Sequence, residues 1–137
     1  MRILNRLNNK NTQSDNYKLF SDWLDKVLEQ ELPNEIVAFN FNLYEGSGGT
    51  YDIQLIGTDE FNENDEDWVC TDYFTTGENI CYIRRTKDIA NWGEGLIYIT
   101  KLAEQYLNKG KNSNILKSVS AIGIGFVDGD IEIIYRA

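Results

Sequence analysis

Six carboxylates fall within nine consecutive positions of the sequence. Of all segments of the chain, this one has the side chains most capable of chemistry. Side chains of this type can bind a metal ion, transfer protons or attract a cationic partner. The six are Asp59, Glu60, Glu63, Asp65, Glu66 and Asp67. Two aromatic residues, Phe61 and Trp68, lie among and after them, and residues 59–68 are called the acidic loop below. Repulsion between such close negative charges favours a cationic partner that relieves it.

The acidic loop does not have the register of a helix–loop–helix calcium site. Such a site requires glycine at its sixth position and glutamate at its twelfth, and counting from Glu60 places Asp65 and Thr71 there. Carboxylates that hydrolyse glycosides must face a cleft in unlike environments, which neighbours on an exposed loop do not. We therefore expect no metal site, no catalytic carboxylate pair and no cofactor.

The chain contains no histidine. Its absence removes the usual general acid or base near neutral pH, the common activator of serine and cysteine nucleophiles, and the commonest zinc ligand. The glycine-rich segment 46–49 lacks the lysine of a phosphate-binding loop and is interpreted as a hairpin turn. Cys70 and Cys81 lack metal-site or redox spacing and are expected as buried reduced thiols, with a cross-strand bridge as the alternative. The protein is predicted not to be an enzyme.

Charge is segregated along the sequence. Residues 27–83 hold thirteen carboxylates and no lysine or arginine, so the net charge of −9 divides into −13 in this segment and +4 elsewhere. A surface this negative repels phosphates, and the basic cluster Arg84-Arg85-Lys87 is short, so nucleic-acid binding is not expected. The sequence shows neither a membrane span nor a secretory signal. We expect a cytoplasmic protein without a membrane partner.

The acidic loop must be positioned by the surrounding helices and strands. Their order in the sequence predicts one α+β domain over residues 1–137, with an antiparallel sheet of about five strands packed by two amphipathic helices. Alternation in residues 35–44 and 51–55 predicts a hairpin, and residues 79–84 predict a further strand. Residues 68–74 fit either a short strand or an irregular connection. Asp128-Gly129 predicts a terminal hairpin with positive φ at both residues, and the glycines at 123 and 125 predict a groove for a helix.

Two segments carry apolar residues at helical spacing. The first helix is predicted from Ser14 or Asp15 to near Leu32, after a loosely ordered lead-in over residues 1–13. The second is predicted from a cap at Thr86 or Asp88 to Gly110. Their apolar stripes, including both tryptophans, are expected in the core. The stripes are Leu19, Phe20, Trp23, Leu24, Val27 and Leu28, then Ile89, Trp92, Leu96, Ile99, Ala103 and Tyr106.

Three segments carry a resemblance to a known group of proteins. They are GTDEF at 57–61, DEDWVC at 65–70 and GFVDGD at 125–130. These segments resemble small acidic bacterial proteins encoded beside polymorphic or contact-dependent toxins, where they act as immunity proteins. The likeness covers about half of the chain. It implies an antidote that binds a cognate toxin domain, often a nuclease, in the cytoplasm of the producing cell.

The predicted function is thus a non-enzymatic acidic domain that binds a basic protein, most concretely a toxin domain. The resemblance supplies no site residues, so these come from the charge argument. The predicted partner-binding residues are Asp59, Glu60, Phe61, Glu63, Asp65, Glu66, Asp67 and Trp68. For Phe61 and Trp68 the alternative is a hook that pins the loop to the core. The alternative function is a structural or regulatory homodimer paired through the edge of the terminal hairpin, and the oligomeric state stays open.

Overall fold

Over the residues that the structure describes, a six-stranded sheet and three helices form the fold, which confirms the predicted α+β class. The computed structural model describes the backbone of residues 2–137 and the side chains of residues 13–137. The helices are α1 (Arg2–Leu28), α2 (Trp92–Lys109) and α3 (Ser113–Leu116). The strands are β1 (Ala38–Glu45), β2 (Thr50–Thr58), β3 (Asp72–Thr75), β4 (Cys81–Arg84), β5 (Ala121–Phe126) and β6 (Glu132–Arg136).

The sheet is mostly antiparallel, as the sequence predicted, and contains one parallel pair. Its strand order is β3-β2-β1-β5-β6, and β4 also pairs with β2. β1 and β2 form the predicted antiparallel hairpin, whose turn is closed by Gly46 N–H donating to Thr50 O at 2.8 Å. β1 and β5, however, run parallel. The chain returns to the sheet through α2 and α3, and a crossover of this kind joins parallel strands.

The terminal hairpin is confirmed, but its turn differs from the prediction. β5 and β6 pair antiparallel. Neither Asp128 nor Gly129 has a positive φ. Gly129 N–H instead donates to Phe126 O at 2.9 Å, and β6 begins only at Glu132. The connection is therefore longer than the two-residue turn that Asp-Gly usually indicates.

One face of the sheet packs against α1 and α2. Phe39, Phe41 and Leu43 alternate toward this face as predicted, and all three are buried. The ring of Phe20 on α1 lies 5.7 Å from that of Phe41, between centroids. Burial of alternate residues on β1, together with the helical stripes, forms one continuous core.

The helix boundaries differ from those predicted. α1 begins at Arg2 and ends at Leu28, not near Leu32, and Leu19 is 48% exposed although the stripe placed it in the core. The predicted loosely ordered lead-in is helical in its backbone from Arg2, and the side chains of residues 1–12 lie outside the described residues. α2 is capped by Asn91, because Asn91 and Glu94 form a reciprocal capping box, while Thr86 precedes a short 3₁₀ turn.

The two stripe tryptophans have opposite environments. Trp23 is buried as expected, whereas Trp92 is 60% exposed, so its predicted core position is wrong. The reason is the later start of α2: Trp92 is its first residue and lies beyond the buried stripe. Gly95 allows the close approach of a strand, because the Tyr51 ring of β2 occupies the space that a side chain would need there.

Both cysteines are free. Cys81 is buried, and burial raises the pKa of its thiol to about 12. Cys70 is exposed, so the expectation of a buried thiol is correct for Cys81 and wrong for Cys70. Among the described helices, none combines the length and apolar character needed to cross a bilayer.

Candidate functional site

The acidic loop covers the face of the sheet that the helices leave free. This outer face carries small and polar residues, including the buried Asn40 and Thr58. Trp68 extends from the loop onto it and is only 3% exposed. A Cβ atom at Gly123 would lie 3.4 Å from Trp68 Cζ2. The indole therefore lies over the backbone of β5 at Gly123.

The groove over Gly123 and Gly125 receives no helix, contrary to the sequence prediction. At Gly123 the neighbouring side chains are those of Asn40, Ile131 and Trp68. At Gly125 the nearest atoms belong to the backbone of Asp130 and Ile131. The terminal hairpin and Trp68 of the acidic loop fill this groove, because α1 and α2 pack against the opposite face of the sheet.

Local hydrogen bonds give the acidic loop a defined conformation. Thr58 Oγ1 donates to Glu60 O at 2.7 Å where the loop leaves β2. Asp65 Oδ1 accepts from Asp67 N at 3.0 Å and caps a 3₁₀ turn over Glu66–Cys70. This turn precedes the short strand β3, so both alternatives for residues 68–74 occur in succession. Side-chain caps of this kind fix a loop that has little regular pairing.

The two aromatic residues of the loop pack on each other. The ring centroids of Phe61 and Trp68 lie 5.2 Å apart in an edge-to-face arrangement with an interplanar angle of 75°. Trp68 is buried and Phe61 is partly buried. This geometry supports the alternative given for Trp68, a hook that holds the loop on the sheet, and leaves part of Phe61 accessible.

All six carboxylates of the acidic loop are exposed to solvent. Within the described residues, Glu63 is the one that forms an ion pair, with Arg136 of β6. Glu66 Oε2 accepts a hydrogen bond from Ile131 N at 3.0 Å. Both contacts tie the loop to the terminal hairpin. The other four carboxylates make no ion pair with any described residue, so their negative charge is open to solvent.

The structure also forms an acidic cavity that sequence reasoning missed. It has a volume of about 540 Å³ and lies between the start of α2 and the β5–β6 connection. Its residues are Glu45, Trp92, Leu96, Phe126, Asp128, Gly129, Asp130 and Glu132. The parallel register that pairs Leu43 with Phe126 brings Glu45 to this end of the sheet. Long-range pairing of this kind leaves no local pattern in the sequence. The sequence signal that was available for the cavity was Trp92, an aromatic residue that precedes two glycines of the helix.

The arrangement offers electrostatic binding rather than covalent chemistry. A rigid surface of exposed carboxylates attracts and orients positively charged groups. Within the part of the chain that is described, no three acidic or cysteine side chains lie close enough together to hold a metal ion. No family model matches the chain, and neither a curated protein nor a solved structure matches it.

Proposed function

We propose that this chain is a non-enzymatic domain that binds a basic protein through the acidic loop, and that it acts as an immunity protein against a bacterial toxin domain. One observation carries the binding proposal: six exposed carboxylates occupy a loop whose buried anchor, Trp68, fixes it on the outer face of the sheet. The resemblance of the three sequence segments supports the toxin domain as partner. The protein then acts in the cytoplasm of the producing cell.

The physical basis is charge complementarity. Five of the loop carboxylates have no ion-pair partner among the described residues, so lysine or arginine side chains of a partner relieve their repulsion. A nuclease domain is positive where it holds phosphates, and a negative surface can occupy that region. Steering by opposite charges accelerates association up to a thousandfold at low salt and less at physiological ionic strength, where the Debye length is about 8 Å. Fast capture suits an antidote.

The fixed geometry of the loop adds to this complementarity. A loop that was disordered before binding would lose conformational entropy when it bound, which reduces affinity. Here the Asp65 cap and the Glu66–Ile131 hydrogen bond already define the loop backbone. The carboxylates of Asp59, Glu60 and Asp67 are therefore presented from a preformed surface, and we assign them the main contacts with the partner.

The proposal predicts that a gene next to that of this chain encodes a basic toxin domain, and the test uses that domain. The triple variant Asp59→Lys, Glu60→Lys, Asp67→Lys reverses three exposed charges of the loop. The control variant Asp72→Lys, Glu78→Lys, Glu104→Lys makes the same change in net charge at exposed positions outside the loop. We expect the association rate at low salt to fall on the order of tenfold for the loop variant and much less for the control. Equal rates for both variants and the wild type at every salt concentration would refute the loop as the binding surface.

Toxin neutralisation has its own measurement. Co-expression of this chain with the neighbouring domain should restore growth of cells that the domain alone inhibits. The loop variant should fail to restore it, while the control variant should succeed. Growth inhibition that persists beside the wild-type chain would argue against the immunity role.

A structural homodimer is the second candidate, and the position of β6 favours it. Among the described strands, β6 lies at the end of the strand order and pairs with β5 alone, so its outer edge is available to a second copy. Light scattering separates the two candidates. A monomer with an exposed acidic loop supports the immunity proposal, and a stable dimer that hides the loop supports the structural subunit.

A further inference from the structure

The acidic cavity beside Trp92 has an apolar floor. Trp92, Leu96 and Phe126 line it, and the rings of Trp92 and Phe126 lie 6.3 Å apart, edge to face at 87°. Phe126 is buried, whereas 60% of Trp92 is exposed. A tryptophan this exposed contributes little to folding stability but offers a large, flat contact surface to a ligand.

Four carboxylates surround this floor. They belong to Glu45 at the end of β1, to Asp128 and Asp130 in the β5–β6 connection, and to Glu132 at the start of β6. No lysine or arginine is among the described residues that line the cavity. The N-terminus of α2 contributes about half a positive charge, and Glu94 of the capping box offsets it. Arg85 compensates part of the charge of Glu45, and the other three carboxylates leave the cavity with a negative excess that favours a cation.

A neighbouring contact shows how this end of the sheet binds a guanidinium group. Arg85 Cζ lies 4.7 Å from the ring centroid of Tyr51, and Arg85 Nη2 lies 3.8 Å from Glu45 Oε2. The Tyr51 ring is in turn 5.8 Å from that of Phe126. The rings thus follow one another from Tyr51 through Phe126 to Trp92. Arg85 covers the first ring, and the last remains open to solvent.

We propose that this cavity binds an arginine side chain of a basic partner protein, with the guanidinium against Trp92 and its N–H groups directed at the surrounding carboxylates. The occupant rests on the proposed function, because it belongs to the protein that the acidic loop captures. A guanidinium fits better than an ammonium: it is planar, weakly hydrated, stacks on aromatic rings and donates two parallel hydrogen bonds to a carboxylate. The cavity volume of about 540 Å³ accommodates such a side chain with its flanking backbone.

The test titrates the whole chain with a short acetylated and amidated peptide that contains two arginines between glycines, followed by NMR. The indole N–H resonance of Trp92 is identified as the one missing from the Trp92→Ala variant. We expect this resonance to move on titration, with those of the buried Trp23 and Trp68 unchanged. Replacing both arginines by citrulline, which is neutral and nearly isosteric, should abolish the response, and replacing them by lysine should weaken binding at least about threefold.

Two double variants test whether the carboxylates of the cavity bind the arginine peptide. Asp130→Asn with Glu132→Gln neutralises two carboxylates of the cavity, and we expect roughly fivefold weaker binding of the arginine peptide. Asp72→Asn with Glu78→Gln changes the net charge equally at exposed positions away from the cavity and should change affinity less than about twofold.

Three results would overturn the proposal: no displacement of the Trp92 resonance, equal binding of the citrulline peptide, or displacements centred on residues 59–67 instead. Equal binding of the lysine peptide would overturn the assignment to arginine. The titration requires no toxin domain, so its failure removes the cavity as an arginine site and leaves the loop-reversal experiment to decide the proposed function.

Discussion

Glu66 and Ile131 join the acidic loop to the terminal hairpin through a hydrogen bond of 3.0 Å between Glu66 Oε2 and the backbone nitrogen of Ile131. The two residues are 65 positions apart in the sequence. Ile131 also borders the space above Gly123, against which Trp68 packs. One carboxylate of the loop thus has a structural role, while its neighbour Asp67 projects to solvent.

Replacing Glu66 by alanine should therefore destabilise the protein, unlike the same change at Asp67. Loss of the hydrogen bond to Ile131 should lower the free energy of unfolding by about 1 kcal/mol. Asp67→Ala removes an exposed charge from a crowded negative loop and should change it by no more than about 0.5 kcal/mol. Urea unfolding of both variants provides the comparison. Equal destabilisation would mean that the hydrogen bond contributes nothing.

Trp68 should be essential to stability, and Trp92 should not. Trp68→Ala removes a buried indole from the outer face of the sheet and should cost about 3–5 kcal/mol. Trp92→Ala removes a side chain that is 60% exposed and should cost less than about 1 kcal/mol. Thermal and urea unfolding measure both. If the two variants are equally stable, the indole of Trp68 does not hold the loop.

The two glycines at the start of α2 should respond in opposite directions to alanine. At Gly95 a Cβ atom would overlap the ring of Tyr51, so Gly95→Ala should cost about 1–3 kcal/mol despite the better helix propensity of alanine. At Gly93 the nearest neighbour is Asn91 Oδ1 at 3.4 Å, and Gly93→Ala should gain up to about 1 kcal/mol. A stabilising Gly95→Ala would show that the helix and β2 are not in contact there.

Tyr106 should make the protein less stable in alkali. Burial, and then its hydrogen bond to Asp25 Oδ1 at 2.5 Å, raise the pKa of the Tyr106 hydroxyl above its ordinary value of about 10. A raised folded-state pKa gives stability that is complete below pH 10 and is lost as pH rises toward the folded-state pKa. Tyr106→Phe should reduce the slope of unfolding free energy against pH between about 9.5 and 11.

The matched control for this slope is Tyr82→Phe, which removes a hydroxyl from a side chain that is 54% exposed. Its slope should equal that of the wild type. A slope for Tyr106→Phe that also equals the wild type would contradict the assignment of alkaline sensitivity to Tyr106.

Local patterns predicted what local forces determine. Phe39, Phe41 and Leu43 face the core because alternation and one-sided burial act within a single strand. The end of α2 at Gly110 followed from a helix breaker in the sequence. The exposure of the six loop carboxylates agrees with their charge, and the hook alternative for Trp68 agrees with its burial.

Features that depend on distant contacts were not predictable. The parallel pairing of β1 with β5 depends on a crossover through α2 and α3, which no window of the sequence contains. The exposure of Trp92 is a different case, because the Asn91 capping box that starts the helix later than the apolar spacing indicated is a local pattern present in the sequence. The groove at Gly123 was visible, but its occupant was not, because both Trp68 and Ile131 reach it from outside β5.

The parallel pair at the centre of the sheet also affects when the protein can fold during synthesis. Ala38 pairs with Ala121, so the β1–β2 hairpin has a free inner edge until residues 121–126 have emerged from the ribosome. During that interval the apolar strand β1 can pair with another nascent chain. Rapid translation through α2 would shorten this exposure, and a pause there would promote aggregation.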